Sequence, residues 1–246
     1  MKDLKFIAMK EGGQVLARIL EELRARVTPG IETREIDDWT RRLCLKYGVR
    51  PSFLGYEGYP SSICVSINDE VVHGIPSKRI LKSEDIISLD LGIFHKGFHT
   101  DGAITFTLVP ASSEITRLLS VTREALLLGI EQAVIGNRVG DIGSAIQNYV
   151  EKNNFSVVRS LVGHGVGKNI HEEPLIPNFG SQDSGASLHK GMTIAIEPMV
   201  SAGGYEVYQA EDGWTYKTSD KSMVAHFEHT VYITDNLPVV LTKNGS

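Results

Sequence analysis

The sequence predicts a mixed α+β unit, because helices and strands are interspersed without the strict alternation of a doubly wound parallel sheet. Apolar residues recur at helical spacing in some segments, and short apolar runs bounded by turn residues recur in others. Helices also precede strands twice, which suggests an internal duplication without a residue-level repeat. The chain has 246 residues, 41% of them hydrophobic, so it can form a sizeable core in one or two domains.

Four helices are expected, at about residues 3–26, 33–47, 114–133 and 141–153. Thr33 is interpreted as the N-cap of the second helix, and Gly48 as its stop. Asp141 is a candidate cap for the fourth helix, because it follows a glycine at the helix boundary.

Strands are expected at residues 63–67, 70–75, 88–94 and 98–108, and near 155–162, 192–200 and 224–234. The pair Asn68-Asp69 favours a turn between the first two strands. The strands at 88–94 and 98–108 are predicted to form a hairpin that turns at His95-Lys96-Gly97.

The bulk composition excludes several classes of protein. The net charge of −5 argues against a nucleic-acid-binding protein, which usually carries a basic face. Cys44 and Cys64 form neither a disulfide framework nor a zinc quartet, and they fit a reducing compartment. The N-terminus lacks the apolar region of a signal peptide, and no stretch approaches the roughly 18 apolar residues of a membrane span. We therefore expect a cytoplasmic protein that binds neither membrane nor nucleic acid directly.

Two acidic residues lie in the predicted hairpin. Asp90 stands inside an apolar run, and Asp101 lies opposite it or close to it on the returning strand. Burial of a carboxylate is unfavourable without compensation, and facing like charges destabilise a strand pair. A cation between the two acids would remove the repulsion. Two solvated hairpin acids fit the same pattern, since exposed acids are common.

Further candidate ligands follow in the second half of the chain. His164 lies between two glycines, which allow the backbone to approach a ligand closely, although a single loop histidine usually has no function. Glu197 and Glu228 lie in apolar strand-like runs. Four carboxylates and one imidazole suit Mn²⁺, Fe²⁺, Co²⁺ or Zn²⁺. Two such ions roughly 3.5–4 Å apart can share a water molecule and lower its pKa, which is hydrolase chemistry.

The order and spacing of Asp90, Asp101, His164, Glu197 and Glu228 resemble the five metal ligands of the methionine aminopeptidases. Other motifs that resemble this family are His73-Gly74-Ile75-Pro76, His171-Glu172-Glu173-Pro174, Glu197-Pro198-Met199, Phe227-Glu228-His229-Thr230 and the type I motif Asp212-Gly213-Trp214-Thr215. The resemblance extends from the first helix to about residue 242, and it implies a single catalytic domain over residues 1–246. It also implies the pita-bread fold, in which two pseudo-twofold-related α/β halves surround a dinuclear metal site.

The same resemblance implies a role for each metal ligand. Asp101 and Glu228 would bridge two divalent ions. Asp90 would bind one ion through both oxygens, and His164 and Glu197 would hold the other. The expected metals are Co, Mn, Fe, Zn or Ni.

The implied reaction is the removal of an N-terminal initiator methionine whose neighbouring residue is small. Water activated between the two metals would attack the first peptide bond. Glu197 would also act as general acid and base. His171 would bind the substrate carbonyl and the oxyanion, and His73 would contact the scissile nitrogen or the next backbone group.

The resemblance also places substrate and cation sites. The residues at the positions of the methionine pocket are Tyr56, Tyr59, Cys64 and Trp214, and sulfur–aromatic contacts would favour methionine there. A monovalent cation would be bound at Asn68, Glu70 and Val224 through backbone carbonyls. The partners implied are peptides and nascent chains with N-terminal methionine, with transient contact to the ribosome, for a monomeric enzyme.

Three residues depart from the family pattern, and two alternatives stay open. Phe53 stands where a small residue or cysteine is common, Ile170 where an aromatic is common, and His226 where a glutamine is frequent. The first alternative is an Xaa-Pro aminopeptidase of the same fold, although such chains usually carry an extra N-terminal domain. The second is a non-catalytic binding protein, although such relatives typically lose metal ligands.

Overall fold

The computed structural model describes residues 4–243. Its helices are α1 (Leu4–Arg26), α2 (Thr33–Tyr47), α3 (Ser113–Glu131) and α4 (Val139–Lys152). Its strands β1 to β15 are, in order, Arg50–Pro51, Cys64–Ile67, Glu70–Val72, Ile86–His95, Phe98–Thr107, Ser156–Val157, Gly163–Gly165, Glu172–Ile176, Thr193–Ile196, Met199–Ser201, Val207–Gln209, Tyr216–Thr218, Val224–His226, Glu228–Tyr232 and Val239–Val240. None of the helices described is long and apolar enough to cross a membrane.

One large sheet joins both halves of the chain. Its strand order is β1-β4-β5-β14-β9-β7-β8, with β2 also paired to β4 and β15 to β14. Two three-stranded sheets, β13-β10-β6 and β11-β12-β3, flank it. Every pairing of these strands is antiparallel. The predicted α+β class is therefore confirmed within the residues described.

Helices cover one face of the large sheet and leave the other face for the site. In β4, the alternating residues Ile87, Leu89 and Leu91 are fully buried in a core shared with α1 and α2. A second core packs α3 and α4 against β9 and β14. Each buried aliphatic side chain contributes roughly 1.5–3 kcal/mol to folding. Because side chains alternate along a strand, Asp90 faces away from the helices.

Two segments that were predicted as single strands each divide into two strands of different sheets, and each division lies at a candidate ligand. Residues 192–200 were predicted as one strand, but β9 ends at Ile196, and β10 begins at Met199 in a different sheet. Glu197 and Pro198 form the break, and proline cannot donate to a sheet ladder. Residues 224–234 break in the same way at Phe227, between β13 and β14. Both breaks position an acidic residue at a junction between two sheets.

Gly48 ends α2 as predicted, but the two predicted N-caps were wrong by one and three residues. Glu32, not Thr33, is the N-cap of α2, and its backbone N–H donates to the Glu35 side chain at 3.0 Å. The N-cap of α4 is Arg138, and its N–H donates to Asp141 at 2.7 Å. Asp141 thus stabilises the helix start from inside the first turn.

The strands on either side of Asn68-Asp69 separate instead of pairing with each other. β2 pairs with β4, whereas β3 pairs with β12. β3 also ends at Val72, short of the predicted residue 75, and His73 then adopts a φ of 60°. A residue with a left-handed conformation cannot continue an extended strand. A turn in the backbone, and not strand pairing, therefore sets the direction of the His73 side chain. The predicted strand at 155–162 is limited to Ser156–Val157.

Candidate metal centre and substrate cleft

A row of cross-strand neighbours positions two of the predicted ligands. Cys64 pairs with Asp90, Asp90 with Ala103, and Ala103 with Glu228, across β2, β4, β5 and β14. Directly paired side chains lie on the same face of a sheet. Asp90 and Glu228 therefore project from one face and are separated by the small side chain of Ala103.

The adjacent row positions Asp101. It pairs with Gly92 on β4, and its backbone N–H donates to Thr230 Oγ1 at 2.8 Å. The Thr230 hydroxyl donates in turn to the Asp101 carbonyl at 2.8 Å. Both backbone groups of Asp101 are thus held by one hydroxyl. Its carboxylate faces the cleft, and Oδ1 accepts a hydrogen bond from the Gly102 N–H at 3.0 Å.

His164 and Glu197 complete the cluster from β7 and from the end of β9. His164 Nδ1 lies 2.8 Å from the Gly165 carbonyl, which can only accept, so Nδ1 carries the proton. The lone pair of Nε2 is then free to bind a metal. Nε2 lies 3.5 Å from Glu197 Oε1 and 3.9 Å from Asp101 Oδ2.

The ligand atoms of these residues lie within 4.8 Å of one another in overlapping groups of three. The groups are Asp90–Asp101–Glu228, His164–Glu197–Glu228 and Asp101–His164–His171. Glu228 belongs to the first two groups, and Asp101 to the first and third. Such sharing is what two neighbouring ions with bridging carboxylates require.

The electrostatics of this cluster are unfavourable without a cation. Burial raises the pKa of Asp101 to about 7. Burial, and then the neighbouring carboxylates, raise the pKa values of Asp90, Glu197 and Glu228 well above their usual range. Burial, and then His171, lower the pKa of His164 to about 4, so its imidazole is neutral. A divalent ion would stabilise the ionised form of these buried carboxylates and could bind the neutral imidazole directly.

Two orphaned oxygens support the fit to a divalent metal. Asp90 Oδ1 and Glu228 Oε1 are buried and have no hydrogen-bond partner among the residues described. A buried acceptor without a partner is unfavourable by about 1–3 kcal/mol, and by more if it is charged. An oxygen-rich set with one imidazole suits Mn²⁺, Fe²⁺, Co²⁺ or Zn²⁺. The residues present therefore fit divalent ions.

His171 and His73 lie at the mouth of the cluster. The His171 ring contacts the His164 ring edge-on, with 4.4 Å between centroids, and its Nδ1 is 3.0 Å from the Tyr56 hydroxyl. The His73 ring packs edge-on against Tyr216 at 5.9 Å. Burial, and then His171, lower the pKa of His73 to about 4, and burial lowers the pKa of His171. Both rings are therefore neutral near pH 7, and each has one N–H to donate.

All of the residues predicted to bind the divalent metals or the substrate line a single cavity of about 490 Å³. Its apolar side contains Tyr59 and Trp214, whose rings meet edge-on at 5.1 Å, and Cys64. Burial, and then Asp90, raise the pKa of the Cys64 thiol, so it stays neutral. Tyr56 lies between this side and His171.

Several residues of the cavity wall were not predicted from the sequence, among them Val72, Leu161 and Met199. Apolar residues of this kind have no sequence pattern that separates a cleft wall from a core. Two of the noted departures from the family pattern, Phe53 and Ile170, meet at one point in space. A side chain at Gly92 would lie 2.7 Å from the Phe53 ring and 3.1 Å from Ile170. The side chains of Phe53 and Ile170 thus both pack against the hairpin at Gly92.

The fold and the site together define a metallopeptidase of the pita-bread type. A sequence profile for metallopeptidase family M24 matches residues 7–235. Methionine aminopeptidase 1 of Bacillus subtilis is 47% identical over 235 residues, which covers 96% of this chain and 95% of the relative. The crystal structure of methionine aminopeptidase from Thermotoga maritima superposes with a TM-score of 0.96 at 42% identity, over 99% of this chain and 98% of that one. The chain belongs to metallopeptidase family M24 and, within it, to the methionine aminopeptidases.

A more distant structure delimits the resemblance. Prolidase from Pyrococcus furiosus has a TM-score of 0.77 at 20% identity, and the match covers 100% of this chain but 65% of that one. Identity at this level shows the shared fold alone. The predicted pita-bread fold is confirmed by both structures.

Proposed function

We propose that this protein is a metal-dependent exopeptidase that removes N-terminal methionine from peptides and nascent chains when the second residue is small. The observation that carries the proposal is the position of the acid cluster at the base of a cleft whose other wall is aromatic and apolar. A hydrolytic centre and a pocket for an apolar side chain are thus adjacent, as removal of a terminal residue requires.

Five side chains are proposed to hold two divalent ions. Asp90 would bind one ion, His164 and Glu197 would bind the other, and Asp101 and Glu228 would bridge the two. The ions would supply Lewis-acid polarisation of the scissile carbonyl and a water molecule of lowered pKa. His164 is the only neutral side chain among the five proposed ligands, so the position that it helps to form carries less negative charge than the other.

Three residues are proposed to act on the substrate directly. Glu197 would accept the proton of the attacking water and return it to the leaving amine, because burial and then the neighbouring carboxylates raise its pKa and so make its carboxylate a stronger base. His171 would donate a hydrogen bond to the oxyanion, because its Nδ1 is occupied by Tyr56 and its other nitrogen is available. His73 would donate to the substrate backbone from its left-handed position at the cleft.

The methionine side chain is proposed to occupy the space between Tyr59, Cys64 and Trp214, with Tyr56 at its edge. The perpendicular Tyr59 and Trp214 rings present both an edge and a face to a thioether. Sulfur–aromatic contacts contribute about 0.3–1.5 kcal/mol each. Phe53 closes the same wall of the cavity.

The remaining expectations stay predictions. For the monovalent cation, Asn68 lies beside Val224, whose N–H donates to the Asn68 carbonyl at 2.9 Å, and Glu70 follows in the same turn. One catalytic unit over residues 1–246 is consistent with the large sheet, which joins both halves of the described chain. A cytoplasmic monomer with transient ribosome contact is the setting in which nascent chains would be its substrates.

The test is cleavage of a Met-Ala-Ser peptide by metal-depleted protein, with Mn²⁺, Co²⁺, Fe²⁺, Zn²⁺ or Ni²⁺ added back separately. Lys-Ala-Ser and Ala-Pro-Ser serve as controls, and peptides with larger second residues measure the preference for small ones. Release of free methionine only with added metal supports the proposal and ranks the metals. Cleavage of the proline peptide alone would instead identify an Xaa-Pro enzyme. Metal binding without any cleavage would indicate a non-catalytic relative.

A further inference from the structure

Glu197 lies between two imidazoles, one beside each of its oxygens. Oε1 is 3.5 Å from His164 Nε2, and Oε2 is 3.6 Å from His226 Nε2. His164 is one of the proposed metal ligands. His226 is outside that group and outside the cavity wall, so the proposed reaction leaves it without a role.

His226 is buried, with 1% of its surface exposed, and its Nε2 has no hydrogen-bond partner among the residues described. A buried polar nitrogen without a partner destabilises the folded state. The distance of 3.6 Å to Glu197 Oε2 is a few tenths of an ångström longer than a hydrogen bond. A small torsional change of the Glu197 side chain would close this gap and give both atoms a partner.

The backbone of His226 is held firmly, so the gap can close only by rotation of the two side chains. His226 pairs with Met199 in the β10–β13 ladder. Its N–H donates to Thr105 Oγ1 at 2.9 Å, and the Thr105 hydroxyl donates to its carbonyl at 2.6 Å. Because β13 ends at this residue, the ring approaches Glu197 from the small sheet, while Glu228 faces the cluster from the large one.

We infer that His226 is a positioning residue: its Nε2–H donates a hydrogen bond to Glu197 Oε2 and thereby directs Oε1 toward the position shared with His164 and Glu228. The inference rests on the proposed role of Glu197 as a metal ligand. A ligand carboxylate with two free oxygens can rotate, whereas one that accepts a hydrogen bond on one oxygen offers the other in a fixed direction. Partners that orient ligands in this way typically change metal affinity by roughly 10–100-fold when they are removed.

The test compares three substitutions in the full chain. His226→Gln places an amide NH₂ about where Nε2 lies, and His226→Asn places the same group about where Nδ1 lies. His226→Leu fills the space without a donor. Metal-depleted proteins are titrated with Mn²⁺ by calorimetry, and the visible absorption of the Co²⁺ forms reports ligand geometry. Circular dichroism and thermal unfolding of the metal-free proteins check the fold.

We expect the Gln variant to bind Mn²⁺ within about threefold of the wild type, and the Asn and Leu variants to lose roughly 10–100-fold at one of the two positions, with a changed Co²⁺ spectrum. A role in packing alone predicts the opposite order, with Leu equal to or better than Gln. If the Leu variant does not fold, the Gln and Asn pair still decides. If the Asn variant bound Mn²⁺ as tightly as the wild type, the inference about His226 would be wrong, while the proposed metal site would stand. Failure of the wild-type protein to bind Mn²⁺ would overturn the proposed metal site, and the inference with it.

Discussion

Asp90 and Asp101 lie on neighbouring strands of one hairpin but are offset diagonally: Asp90 pairs with Ala103, and Asp101 with Gly92. Each acid thus faces a residue with a minimal side chain and not the other acid. Diagonal neighbours are roughly 7–8 Å apart at Cα, close enough for both carboxylates to reach a shared cation. The small partners leave the space that the cation would occupy.

The first prediction concerns metal binding by this pair. Asp101→Asn should abolish detectable binding of divalent ions at one position and reduce turnover at least about 100-fold, because Asp101 belongs to two of the three candidate ligand groups. Calorimetric titration with Mn²⁺ and a Met-Ala-Ser cleavage assay measure the two effects. Asp235→Asn is the matched control, since Asp235 is exposed and pairs with Lys190. Full binding and turnover in Asp101→Asn would contradict the assignment.

The second prediction concerns the pH dependence of stability in the metal-free protein. Burial raises the pKa of Asp101 from 3.8 to about 7 in the folded chain. Between pH 4 and 7 the unfolded chain therefore releases this proton while the folded chain keeps it. The contribution of Asp101 to the free energy of unfolding must then fall as pH rises through this window, and level off above it.

Buried histidines with lowered pKa act in the opposite direction at acidic pH, so the comparison is with Asp101→Asn under identical conditions. The measurement is urea unfolding of chelator-treated proteins from pH 4.5 to 7.5. As pH rises, the free energy of unfolding of the variant should increase relative to that of the wild type by about 2 kcal/mol or more. A constant difference across the range would mean that Asp101 is already ionised in the metal-free fold.

The hairpin that carries the first two candidate ligands was predictable from sequence. Apolar residues alternate in β4, and the turn His95-Lys96-Gly97 fixes the register, so Asp90 and Asp101 had to lie near each other. The family motifs then indicated the other candidate ligands. Local patterns were sufficient here because hairpin pairing is set by residues close in sequence.

The junctions between sheets could not be predicted in the same way. Residues 192–200 and 224–234 are each rich in apolar and β-branched residues, so each resembles a single buried strand. Where a strand leaves one sheet for another depends on partners far away in sequence, such as the pairing of Met199 with His226. The contact of His226 with Glu197 follows from both breaks together, so only the folded chain reveals it.

The third prediction tests His171. His171→Ala should keep both metal positions and lose roughly 10²–10³ in kcat, because one oxyanion donor is removed. Tyr56→Phe should lower kcat less, by roughly five- to tenfold, since it removes only the hydrogen bond that fixes the His171 ring. Mn²⁺ titration and single-turnover rates on Met-Ala-Ser measure both effects.

The candidate ligand groups offer a competing outcome for the same variant. His171 lies within 4.8 Å of Asp101 and His164 at their ligand atoms, so it could itself bind an ion. In that case His171→Ala would lose metal stoichiometry along with turnover, and the proposed oxyanion role would be wrong. Unchanged stoichiometry with slow turnover separates the two roles.

The fourth prediction concerns the aromatic wall of the pocket. Norleucine has nearly the shape of methionine but lacks sulfur, so the ratio of kcat/KM for Met-Ala-Ser to that for norleucine-Ala-Ser isolates the sulfur contact. A contribution of about 0.3–1.5 kcal/mol corresponds to a ratio of roughly 2–12. Trp214→Leu keeps an apolar wall beside Tyr59 but removes one ring of the perpendicular pair, so the ratio should fall toward one. Tyr208→Ala is the control, because Tyr208 is half-exposed on β11 and is not part of the cavity wall. An unchanged ratio in Trp214→Leu, with lower activity on both peptides, would show that Trp214 supports the wall without contacting the thioether.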